Sequence, residues 1–88
     1  MLEVTERAKQ ELMKTLKANT DNPEACMRLT LDHHGSIGFR IDTEKQGDQV
    51  VEYENSKLLV VEKDVLESLP GLTLDIEESP DGNRFVFP

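Results

Sequence analysis

The sequence predicts an α+β fold: a β-rich domain with a mostly antiparallel or mixed sheet, one amphipathic N-terminal helix and one short later helix. Two observations carry that expectation. Near the N-terminus apolar residues recur at helical spacing, and from Met27 onward they recur at every second position. Turn-forming residues then cut the alternating part into strand-sized pieces, as an order of β, α, several β, short α and β-β requires.

Leu2-Glu3-Val4 alternates like a short strand. Thr5 is placed to cap a helix, with Glu6 in the first turn near the positive end of the dipole. Ala8, Leu12 and Leu16, with Met13 beside them, form a narrow apolar stripe on a helix running to about Lys17, while Lys9, Gln10, Lys14 and Lys17 take other faces. Asn19-Thr20-Asp21-Asn22-Pro23 ends it, because these residues favour turns and proline restricts the residue before it.

Met27, Leu29 and Leu31 alternate with Arg28, Thr30 and Asp32, and Ile37, Phe39 and Ile41 alternate with Gly38, Arg40 and Asp42. Each segment is therefore expected to give one face to a core and the other to water. His33-His34-Gly35-Ser36 connects them. After a turn at Lys45 to Asp48, Val50 to Tyr53 and Lys57 to Val61 read as a hairpin closed by Glu54-Asn55-Ser56. Leu58 to Val61 is apolar on both faces and calls for cover on both sides. Asp64 to Leu69 reads as a short helix closed by Pro70-Gly71. Leu72, Leu74 and Ile76 make another strand, Ser79 to Asn83 a turn, and Phe85-Val86-Phe87 a last strand.

Bulk properties narrow the function classes. The 88 residues suit one domain over residues 1–88. Eighteen acidic residues against ten basic ones leave a net charge of −8, which repels phosphate backbones and anionic lipid. Neither nucleic acid nor a membrane is an expected partner. The single cysteine, Cys26, rules out an internal disulfide framework and suits a reducing, cytoplasmic compartment. No apolar run approaches the roughly 20 residues that span a bilayer, and the N-terminus lacks the basic start and apolar core of a signal peptide.

Four stretches together resemble the HesB-like family of A-type iron–sulfur cluster carriers. They are Leu2 to Ala8, Arg28-Leu29 through Gly35-Ser36-Ile37-Gly38-Phe39, Val61 to Asp75 with its Gly71-Leu72-Thr73-Leu74-Asp75 run, and Phe85-Val86-Phe87. The resemblance spans nearly the whole chain and implies the family's fold. In the family one thiolate comes from a Gly-Cys-Ser-Gly loop and two from a Cys-Gly-Cys tail beyond the last strand. Ser36 occupies the first cysteine position here and the chain given stops at Pro88, so loss of all three ligands is expected. Thiolate suits iron–sulfur clusters in a way that a serine hydroxyl does not.

Three residues remain as metal candidates. Cys26 is the one soft donor, and its bland reading is a small buried hydrophobe. His33 and His34 flank the family's loop position; their bland reading is a pair of solvated loop histidines, because neighbours on an extended chain point opposite ways. The Glu77, Glu78 and Asp81 carboxylates lack the dense oxygen-ligand loop of a calcium site and read as a wet face. No nucleophile elbow or phosphate loop is present, so no enzyme is expected. The expectation is a non-enzymatic, partner-binding or accessory module without a cofactor, with a homodimer implied by the resemblance. The alternative is an iron–sulfur or metal carrier whose substitute ligands, Cys26 with His33 or His34, are shared across a dimer.

Overall fold

A computed structural model describes residues 2–68 and 71–87. The elements run β1 (Glu3–Val4), α1 (Glu6–Asn19), β2 (Cys26–Leu31), β3 (Ile37–Asp42), β4 (Gln49–Tyr53), β5 (Ser56–Val61), α2 (Lys63–Ser68), β6 (Thr73–Ser79) and β7 (Gly82–Val86). The expected α+β class holds, and the strands divide between two sheets. One has the order β3-β2-β5-β4 and the other β1-β6-β7. Both are mixed: β2 runs parallel to β5 and β1 parallel to β6, while the hairpin partners are antiparallel.

Thr5 caps α1 as its sequence position suggests, its Oγ1 accepting from the Ala8 N–H. The same hydroxyl donates to Asp75 Oδ1 at 2.7 Å, and Arg7 grips that carboxylate through Nε and Nη2. The start of the helix is thereby tied to β6, beside the strand it follows. Leu12, Met13 and Leu16 then point into the core, packed with Leu29, Leu58, Leu59, Val61 and Leu74. The closing hairpin is a two-residue turn, Tyr53 pairing with Ser56, and Glu54 and Asn55 both take positive φ (51° and 65°). Positive φ at both central residues is the primed geometry that matches strand twist.

All of Leu58, Leu59, Val60 and Val61 are fully buried, as an apolar run on both faces demands. The two sheets meet at Phe39 and Phe85, whose ring centroids are 4.8 Å apart.

Two expectations from alternation fail. Arg28, expected on the water face, is 1% exposed, because β2 is an inner strand beside β5 and is covered on both faces. Ile41, expected on the core face, is 41% exposed, because β3 lies at the sheet edge and none of the described residues covers its far end. The end of the short helix at Leu69-Pro70 lies outside the described residues.

Candidate functional site at the two ends of strand β2

The β2–β3 connection, Asp32 to Ser36, is held by one aspartate. Asp32 Oδ1 accepts from the His34 N–H at 2.8 Å and the Ser36 N–H at 2.9 Å, and the Asp32 carbonyl accepts from the Gly35 N–H at 3.0 Å. The Asp32 N–H donates to the Ser36 carbonyl, closing the hairpin. Gly35 sits at φ +81°, a conformation a side chain would strain. Three residues on, Gly38 lies opposite Thr30, and a Cβ there would come within 3.0 Å of the Thr30 hydroxyl. All five residues from Asp32 to Ser36 are exposed. The His33 and His34 rings lie side by side, centroids 4.0 Å apart and planes inclined by 44°. The turn thus overrides the opposed directions that an extended chain imposes.

The other end of β2 is closed. Cys26 opens the strand, fully buried, with its Sγ donating to the Asp42 carbonyl at 3.5 Å. Burial pushes its thiol pKa up, only partly offset by the nearby Arg28 charge, so the thiol form is favoured over the nucleophilic thiolate.

Two residues on, the Arg28 guanidinium spends its donors on the β3–β4 loop. Nε donates to Asp42 Oδ2 at 2.7 Å, Nη1 and Nη2 grip Asp48 at 3.1 and 2.8 Å, and Nη2 also reaches the Thr43 carbonyl. Glu62 adds a longer ion contact at 3.6 Å. The Asp42 carboxyl is held at about 2 by the Thr43 backbone N–H first and the Arg28 hydrogen bond second. Asp48, whose side chain is 4% exposed, is lowered chiefly by Arg28. No buried side-chain nitrogen or oxygen among the described residues lacks a partner.

Sequence reasoning missed this network. Its signal was present in β5: a strand apolar on both faces implies that an inner neighbour is covered on both faces too, so a charge on that neighbour must find counter-charges.

Cys26 and the histidine pair sit at opposite ends of β2, separated by roughly 20 Å at the usual rise per residue. The structure brings His33 and His34 together and leaves Cys26 apart from both. Among the described residues no group of three or more His, Cys, Asp or Glu side chains could hold a metal ion. One chain therefore does not assemble the Cys26–histidine ligand set.

Comparison with known proteins settles the ancestry. The chain is 35% identical over 79 residues to the iron–sulfur cluster insertion protein ErpA of Actinobacillus pleuropneumoniae, covering 84% of this chain and 69% of that one. This chain belongs to the HesB-like family of A-type iron–sulfur cluster carriers. Its fold matches the crystal structure of Escherichia coli SufA, involved in biosynthesis of iron–sulfur clusters, with a TM-score of 0.71 at 19% identity over 99% of this chain and 83% of that one. It also matches IscA crystallised with the [2Fe-2S] cluster, with a TM-score of 0.62 at 21% identity over 100% of this chain and 86% of that one. No family model matches the chain.

These findings correct one expectation and support another. The expected absence of a cofactor is overturned: the relative is named for cluster insertion and a structural neighbour is seen with a cluster. The expectation of a non-enzymatic protein stands with relatives named for cluster insertion and cluster biosynthesis. No helix among the described residues is long and apolar enough to cross a membrane.

Proposed function

We propose that this chain serves iron–sulfur cluster assembly as a non-enzymatic, partner-binding member of the carrier family. The cluster is cargo, met at an interface that a second protein completes. One observation carries the reading: Ser36, at the position that resembles the family's loop cysteine, is exposed, while Cys26 is sealed at the far end of the same strand. A hydroxyl is a poor substitute for thiolate toward iron, so the remaining donors must come from elsewhere. The exposed β2–β3 turn and the adjoining edge of β3, where Ile41 is uncovered, offer the contact surface.

A protein partner suits the net charge of −8 better than nucleic acid or anionic lipid, and a reducing cytoplasm suits the unpaired thiol. The working unit is one domain, and self-association into a homodimer is compatible with the open edge of β3.

The test is anaerobic incubation with iron and sulfide, alone and with a cluster-loaded carrier of the same family. The isolated chain is expected to hold well under one iron per chain. With the loaded carrier it is expected to co-elute in gel filtration and to alter the visible charge-transfer band. Stoichiometric iron and sulfide in the isolated chain, with a band lost in Cys26→Ser, overturns the reading.

A further inference from the structure

Imidazole nitrogen is a good donor to divalent ions of the zinc, nickel and copper type, and the tip of the β2–β3 turn presents two imidazoles on one side. Their ring centroids are 4.0 Å apart. Two imidazoles on one ion, with metal–nitrogen bonds of about 2.0–2.1 Å, hold their centroids roughly 4.5–5.2 Å apart at square or tetrahedral angles. The rings thus need to part by about an ångström, which side-chain rotation supplies without moving the backbone.

That backbone is fixed. Asp32 holds the His34 and Ser36 N–H groups through one carboxylate oxygen and the Gly35 N–H through its carbonyl. Among the described residues neither histidine ring is engaged in a hydrogen bond or salt bridge; the His34 bond is made by its backbone. Both histidines are exposed, so their ring nitrogens are open to solvent. A chain of net charge −8 raises the local concentration of cations around it.

Two donors leave a four-coordinate ion half satisfied, and among the described residues no third His, Cys, Asp or Glu side chain converges on the pair. The five residues of the turn are all exposed at the end of the hairpin, so two such tips can approach without displacing other structure. We propose that His33 and His34 form a two-nitrogen site for a divalent transition-metal ion, completed by the same pair from a second copy of this chain. The product is a metal-bridged dimer with four imidazoles on one ion. This does not rest on the partner-binding reading above, and either can fail alone.

The experiment is titration of the purified chain with Zn2+, followed by sedimentation velocity for mass and by calorimetry for stoichiometry. The mass should double as zinc reaches half an ion per chain, and EDTA should reverse the change. His33→Ala and His34→Ala should each weaken binding at least tenfold and abolish the mass change, with unaltered thermal unfolding to show that the fold persists. Zinc binding unchanged in the double variant overturns the site. A mass that does not respond to zinc overturns the bridge, whether the starting species is one chain or two. Neither result affects co-elution with a loaded carrier, which tests the other reading.

Discussion

The two ends of β2 are both organised by carboxylates, and they differ in almost every other respect. At one end Asp42 and Asp48 bind a guanidinium that is 1% exposed, and a buried thiol lies two residues away. At the other, Asp32 binds backbone N–H groups of a turn that is exposed throughout. The first arrangement is costly to disturb, because removing one buried charge strands its partners. The second is cheap to disturb, because water replaces whatever is lost. Residues at the exposed end can therefore change without endangering the fold, and Ser36, the proposed counterpart of the family's loop cysteine, lies at that end.

The contrast is sharpest in Arg28→Ala, which should lose about 3–5 kcal/mol of unfolding free energy by leaving Asp42 and Asp48 without their counter-charge. Urea denaturation measures it. A loss under about 1 kcal/mol would mean that water enters this end freely, and the distinction would fail.

Thiol chemistry tests the same distinction by access. Cys26 should react with a disulfide reagent only through local opening, whereas a thiol introduced as Ser36→Cys should react at once. The two rates in the Ser36→Cys chain should differ by at least about a hundredfold. Comparable rates would place the buried thiol at the surface.

Acid gives the next effect. Asp42 and Asp48 have lowered pKa values in the folded chain, so their stabilisation is complete above the ordinary carboxylate value of 3.8 and is lost as pH falls toward about 2. Asp75, lowered by Arg7 first and then by Thr5, adds to the same acid limb from the other sheet. Stability should fall between about pH 4 and 2, and Arg28→Met should make that limb shallower. An unchanged slope in the variant would show that Arg28 does not set these titrations.

Smallest is Gly35→Ala. Forcing a side chain into φ +81° at an exposed turn should cost about 1 kcal/mol, read as a small shift in the melting midpoint. A loss as large as that of Arg28→Ala would show the turn to be as critical as the buried end.

Much of the fold was legible from local pattern. The Thr5 cap, the α1 stripe, the two-residue turn at Glu54-Asn55 and the double-faced run from Leu58 to Val61 each depend on residues close in sequence. The family was legible too, from the order of short stretches and the Gly71 to Asp75 run. The site was legible only in part. Its residues could be named, but the side-by-side placement of His33 and His34 depends on Asp32 folding the turn back on itself.

Period and turn chemistry, which act over a few residues, were enough to determine the elements and their order. Tertiary structure alone decided that β2 runs parallel to β5, that Arg28 is buried while Ile41 is bare, and that Cys26 lies far from the histidines. The reason is physical. Alternation reports which residues share a face of one strand, but whether that face meets water, another layer or an open edge is set by strands distant in the chain.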